Sequence, residues 1–193
     1  MPPNNPIAND MRKLDALLRD HVAPHLQSST SDLRILNLAC GECEEAETLV
    51  NFAKSLGGGD VKLIGADIRI REILLARERC ANLPAEFLLE DATKLKAHQQ
   101  IGDEFNMVLL RHQNIWNDSE QWQKIFEQGL EKAGEDGLLV ITSYFDKEHQ
   151  LALEALTKLG TELVITKRNP SSRKLRTQGK SVDKHIAVLR RCR

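Results

Sequence analysis

What this sequence lacks narrows its role before any motif is read. It has no apolar run long enough to span a bilayer. Its opening, MPPNNPIAND, lacks the apolar core of a secretory leader. Net charge is −1 over 193 residues, so no global field points to nucleic acid or an anionic membrane. Cysteines are few and scattered (Cys40, Cys43, Cys80, Cys192) and do not form the framework of a small secreted domain. A reducing cytoplasm is the expected location. No internal repeat, low-complexity segment or second domain stands out. No other cysteine pair has metal-ligand spacing, so Cys40 and Cys43 are expected to bind no metal. The basic stretch with Arg168, Arg173, Lys174, Arg176, Lys180 and Lys184 has no interleaved aromatics. It is expected to be a solvated loop, and sequence-specific RNA reading is not expected of it.

What is present suits a soluble globular domain: 41% hydrophobic and 28% charged residues. Residues 1–32 read as a loose tail, a helix from about Ile7 to Leu26 ended near Pro24, and the linker QSSTSD. From residue 33 a regular alternation begins. Strands are predicted at LRILNLA, VKLIGAD, AEFLLED, FNMVLLRH and LLVITSYF. Helices are predicted at EEAETLVNFAKSL (stopped by Gly57-Gly58-Gly59), REILLARERCANL, SEQWQKIFEQGLEKA and KEHQLALEALTKLG. A weaker helix is predicted through ATKLKAHQQI, a cap at Ser119 and a turn at GEDG. Two late strands, TELVITKR and HIAVLRR, have no helix between them and read as a hairpin. The expectation is an α/β fold: a doubly wound, mostly parallel seven-stranded sheet, with one antiparallel strand from the C-terminal hairpin and helices on both faces. Residues 33–193 would form this one domain.

The stretch LNLACGECEEAE, residues 36–47, raises the functional question. Cys40 and Cys43 have redox spacing at a helix start, where a thiolate is stabilised. The stretch also follows the first strand and opens the first helix of the sheet. Open parallel sheets bind ligands there, using free N–H groups and the positive end of the helix. About 30 residues on, roughly one βαβ unit, the second strand ends in Asp67. A carboxylate at that place can accept from both hydroxyls of a ribose. The third strand ends in Glu90-Asp91, which can accept from an adenine amino group.

With these residues in place the chain resembles the class I S-adenosylmethionine-dependent methyltransferases, over about residues 33–191. ILNLACGEC resembles the family's first motif, IGADI its second and LLEDAT its third. FNMVLLRH resembles its fourth strand, AGEDGLLVITSY the turn into strand five, and the closing hairpin its topology. The resemblance implies S-adenosyl-L-methionine as cofactor and methyl transfer to an unidentified acceptor. It implies that Asn37, Ala39 and Gly41 line the amino-acid end of the cofactor. Asp67 would bind ribose, Ile68 would lie on the adenine, and Asp91 and Ala92 would read its edge. Arg111 would sit beside the methyl group. The chain departs from the family pattern at Asn37 (usually an acid), Ala39 (usually glycine) and Cys43 (often glycine).

Arg111 and His112 are the catalytic candidates, with His112 able to accept a proton near neutral pH. The bland reading of RHQNIW is that some of its side chains cap the strand. Trp116 and Trp122 are expected as packing residues. The Asn/Asp-Pro-Pro-Tyr signature used on amino groups of bases and glutamine is absent. Three alternatives stay open: a non-catalytic binding module on the same fold, an NAD(P)-dependent oxidoreductase, and more distantly a thiol oxidoreductase.

Overall fold

A computed structural model describes residues 5–26, 32–57, 59–97 and 101–192. The expected linker QSSTSD falls largely outside these residues, as do the end of the ATKLKAHQQI helix and Gly58. Helix α1 (Pro6–His21) starts at Asn5, whose side chain accepts the Ile7 N–H, with proline in its first turn. It ends before Pro24, which lies in a short 3₁₀ turn. Leu14, Leu17 and Leu18 fall on its buried face.

The alternation then runs β1 (Leu33–Leu38), α2 (Ala46–Ser55), β2 (Val61–Asp67), α3 (Ile70–Arg79), β3 (Ala85–Leu89), β4 (Phe105–Arg111), α4 (Ser119–Lys132), β5 (Ala133–Ser143), α5 (Asp146–Lys158), β6 (Thr161–Arg168) and β7 (His185–Arg191). All seven strands form one sheet in the order β3-β2-β1-β4-β5-β7-β6. β7 is antiparallel to both β5 and β6, and the other pairs are parallel. The expected sheet, with its single reversed strand, is therefore observed.

Three local expectations are corrected. The segment ATKLKAHQQI holds only a 3₁₀ turn, Leu95–Ala97, in its described part. Asp118, rather than Ser119, caps α4 by accepting the Gln121 N–H. The predicted turn GEDG lies within β5: Ala133 pairs with Phe105 and Leu138 with Met107, so residues 134–137 loop out of the ladder.

Strand side chains alternate between two apolar layers. Ile35, Leu63, Met107 and Val188 face one layer, together with Leu14 and Leu18 of α1 and Leu49 and Phe52 of α2. Leu36, Ile64, Val108 and Ala187 face the other, with Phe126 and Leu130 of α4 and Leu156 of α5. Each fully buried Leu, Ile or Phe in these layers stabilises the fold by about 1.5–3 kcal/mol before the entropy of ordering is counted. α1 is thus part of the main core. The strand order reverses between β1 and β4, which opens a crevice at the carboxyl ends of these strands.

Candidate functional site

Three residues of the loop after β1 adopt positive φ: Ala39 (51°), Gly41 (57°) and Cys43 (48°). This winding turns main chain toward the crevice. An alanine in the left-handed region costs about 1–2 kcal/mol, and the fold tolerates it here. The thiols point away from solvent. Cys40 Sγ packs beside Gly65: a Cβ there would meet the Phe87 ring first, at 2.6 Å, and then Cys40 Sγ at 3.1 Å. Cys43 is 1% exposed, and its Sγ accepts from Asn37 Nδ2 at 3.2 Å. Its thiol is pushed up by the neighbouring Cys40 thiol, by burial and by Glu45. This is the opposite of an activated redox cysteine.

Two cavities adjoin above this loop. One, about 450 Å³, brings together Asp67, Ile68, Asp91 and Ala92 with Trp122. The other, about 560 Å³, lies between Cys43 and Glu45 on one side and Met11, Arg173 and Val182 on the other. Ala39, Arg69, Arg111 and His112 line both and form the wall between them.

No family model matches the sequence, and no curated protein matches it. Solved structures do match. A S-adenosylmethionine-dependent methyltransferase from Clostridium acetobutylicum has a TM-score of 0.70 at 11% identity, covering 93% of this chain and 91% of that one. Magnesium protoporphyrin IX methyltransferase from Synechocystis, solved with S-adenosylmethionine bound, gives 0.65 at 14% identity, covering 100% and 86%. The N-methyltransferase NodS from Bradyrhizobium japonicum gives 0.65 at 13% identity, covering 98% and 99%. The chain has the class I methyltransferase fold.

Within this fold the candidate ligand groups are already engaged. Both oxygens of Asp67 are taken: Oδ2 by the Gly41 N–H (2.8 Å), Oδ1 by the Arg69 N–H (2.9 Å), and both by the Arg69 guanidinium at 2.9 and 3.1 Å. Burial pushes this carboxyl up, but the Arg69 and Gly41 donors outweigh burial and hold it below its ordinary range. The Arg69 side chain is 56% exposed and also reaches Glu72 at 3.3 Å. Asp91 closes a turn by accepting from Thr93 N and Oγ1, at 3.0 and 2.7 Å. Ile68 is 64% exposed at the cavity mouth, an unusual state for an isoleucine.

The wall residues form a buried ionic group. Arg111 donates to both Asp183 oxygens (2.9 and 2.8 Å) and reaches Glu45 at 3.3 Å. Glu45 also accepts from Asn37 Nδ2 at 2.7 Å, while Asn37 Oδ1 is buried with no donor among the described residues. Burial opposes the charge on Arg111, but Asp183 and Glu45 overcome it, so the guanidinium is held more firmly protonated than usual. Asp183 is held far below the carboxylate range by Arg111 and His112 despite its burial. His112 has φ 62°, and burial holds its pKa down. Its Nε2 faces Asp183, 3.2 Å from the main-chain N and 2.8 Å from Oδ1. Nδ1 is therefore the ring nitrogen with no partner among the described residues. Tyr144 stacks on this ring at 3.6 Å. Gln113 does the bland job: it donates to Leu110 O and accepts from Ser143 Oγ.

Sequence reasoning missed Glu45, Arg69, Tyr144 and Asp183. Asp183 carried one signal, as the lone acid in a basic loop. Trp116 is corrected: it is 43% exposed against Phe145, not a core residue. Trp122 packs beside Phe126 on α4. Arg173 is also not simply solvated: it holds Asp10 of α1 at 3.0 and 2.9 Å. Among the described residues no helix is long and apolar enough to cross a membrane, and no group of three or more His, Cys, Asp or Glu is placed to hold a metal.

Proposed function

We propose that this chain is a S-adenosyl-L-methionine-dependent methyltransferase acting on an unidentified acceptor. One observation carries the reading. A left-handed turn at Ala39 and Gly41 meets the strand-end carboxylate Asp67 at the switch point between β1 and β4. That carboxylate shares a ligand-sized cavity with Ile68, Asp91 and Ala92. The residues present fit an adenosine-bearing sulfonium. Asp67 would accept from ribose once Arg69 turns away, Ile68 would cover the adenine, and Asp91 with Ala92 would flank its edge. Glu45, which lines the larger cavity, would supply an acceptor at the amino-acid end, with Asn37 buried behind it and lining neither cavity. When bound, this cofactor supplies a methyl group on a positively charged sulfur. The chain's task is then to hold an acceptor in line and to exclude water.

Titration calorimetry of the full chain with S-adenosylmethionine, S-adenosylhomocysteine and NADH tests the reading. Binding of the first two and not the third is expected, weakened by Asp67→Asn. No binding at millimolar concentrations would sink it. A second reading, a non-catalytic module, is favoured by one specific feature: Arg69 occupies Asp67, and the locked Arg111 divides the cleft. Absence of binding to wild type and to Arg69→Ala alike would support that alternative.

A further inference from the structure

His112 stands where the two cavities meet, and its bonding is one-sided. Asp183 faces four donors. Arg111 Nε (2.9 Å), Thr142 Oγ1 (2.8 Å) and His112 Nε2 (2.8 Å) meet Oδ1, and Arg111 Nη2 (2.8 Å) meets Oδ2. An ionised carboxylate only accepts, and Arg111 with His112 keeps this one ionised despite its burial. A bare Nε2 would set two lone pairs against each other at 2.8 Å. The main-chain N–H of Asp183 also approaches Nε2, at 3.2 Å, but the nearer and fully charged oxygen decides the tautomer. Nε2 therefore carries the proton and Nδ1 the lone pair. Nδ1 can be placed as well. Among side-chain nitrogens and oxygens of the described residues, Asn37 Oδ1 alone is both buried and without a partner. Nδ1 lacks a partner too, so it is open, and the openings that His112 borders are the two cavities. Tyr144, stacked at 3.6 Å with 18° between the planes, fixes the plane of the ring. Burial lowers the imidazole pKa, which leaves the ring neutral at neutral pH.

We infer that His112 takes a proton from the methyl acceptor through Nδ1, and that Asp183 is the positioning residue that fixes its tautomer. The inference rests on the methyltransferase reading. With adenosine in the smaller cavity and the amino-acid end at Glu45 in the larger, the sulfonium between them falls at the shared wall of Ala39, Arg69, Arg111 and His112. There an acceptor hydroxyl or thiol loses its proton to Nδ1 as its lone pair forms the bond to the methyl carbon. The C–S bond breaks and its electron pair goes to sulfur. Positive charge thus passes from sulfur to the imidazolium, and Asp183, 2.8 Å from Nε2, stabilises it. The imidazolium then returns the proton to water. An amine attacks with its own lone pair and needs no such base. The arrangement therefore serves an acceptor that enters neutral and gives up a proton, a hydroxyl or a thiol.

Histidine ¹⁵N spectra of the full-length protein test this, with His112→Gln assigning the signal. The expected result near neutral pH is one neutral tautomer, with the proton on Nε2 and a bare Nδ1 whose resonance moves when S-adenosylhomocysteine is added. The charged groups around the ring are Asp183, Arg111 and Glu45, with Tyr144 stacked on it. Asp183→Asn removes the nearest anion and leaves Arg111, so the ring should populate both tautomers and its pKa should fall by about one unit or more. A proton on Nδ1, a tautomer mixture or a charged ring in the wild type, an unmoved Nδ1 resonance in the liganded protein, or an unchanged tautomer and pKa in folded Asp183→Asn overturns the inference. Where Asp183→Asn fails to fold, the wild-type tautomer and the ligand-induced shift decide. Binding of S-adenosylhomocysteine is read first, by calorimetry. Its absence counts against the methyltransferase reading, whereas binding with the wrong tautomer counts against this inference alone.

Discussion

Arg69 is the residue on which access to the cleft turns. Its guanidinium closes Asp67, yet more than half of its side chain is exposed and Glu72 stands ready as an alternative partner. Arg69→Ala should therefore tighten binding of S-adenosylhomocysteine by about tenfold, equivalent to about 1.4 kcal/mol. Asp67→Asn should weaken it by about 1–3 kcal/mol; calorimetry reads both. A gain in the first variant and a loss in the second would identify the pair as gate and receptor. At Ala39 a glycine would relieve the left-handed backbone, so Ala39→Gly should stabilise the fold by about 1 kcal/mol in urea unfolding. The thiols make a third residue-level expectation. Cys40, Cys43 and Cys80 are buried and Cys192 is exposed, so one thiol should react quickly with an aromatic disulfide reagent in the native state. The other three should react only on unfolding, and fast labelling of Cys43 would revive the redox reading.

Asp67 and Asp91 were legible in the sequence because strand ends are marked by a switch from apolar to polar residues, and one βαβ unit has a narrow range of lengths. Arg69 was not, since a side chain folding back onto a carboxylate two residues earlier leaves no periodic trace. Asp183 lies 72 residues from Arg111 and belongs to a loop whose composition reads as solvated. Only the return of β7 beside β5 brings the two together. The GEDG turn was read correctly as a break in regularity, but the break is absorbed within one strand.

At the level of elements, the start of α5 joins two opposing titrations. Glu148 accepts from the Tyr144 and Phe145 N–H groups, at 2.7 and 3.1 Å, and burial lifts its pKa from 4.5 to about 7. The next residue, His149, is lowered from 6.5 to about 4 by burial and by His185 stacked 4.7 Å away. The raised carboxyl contributes stability that is full below pH 4.5 and is lost as pH rises through about 7. The lowered imidazole contributes stability that is present above 6.5 and is lost as pH falls through about 4. Between these limits the two slopes oppose each other. Glu148→Gln removes one of them. Its unfolding free energy should then rise between pH 4.5 and 6.5, by up to about 1.4 kcal/mol per pH unit, where wild type stays nearly flat. Denaturant titrations at the two pH values check this. Helix α1 is the other element with a clear role. It is held by its leucines in the core and by the Asp10–Arg173 pair on the cleft side. Leu18→Ala should cost about 2–5 kcal/mol by leaving a cavity there.

For the whole molecule, the doubly wound sheet was the most legible feature, because alternating strand and helix patterns leave few possible topologies. The strand order explains why the candidate site lies at one end: the order reverses between β1 and β4, and residues of the loops after β1, β2, β3 and β4 line the adjoining cavities there. The placement of β7 has an effect on biogenesis. β6 emerges from the ribosome before β7, yet its hydrogen-bonding neighbour in the finished sheet is β7 alone. While roughly twenty further residues are being synthesised, at about 5–20 residues per second, the nascent β6 has an unclaimed edge. Until β7 threads into the gap, Asp183 is also missing from the crevice, so Arg111 has lost its main counter-ion. Half-made chains are therefore expected to lack a formed ligand cleft and to offer a sticky edge to chaperones.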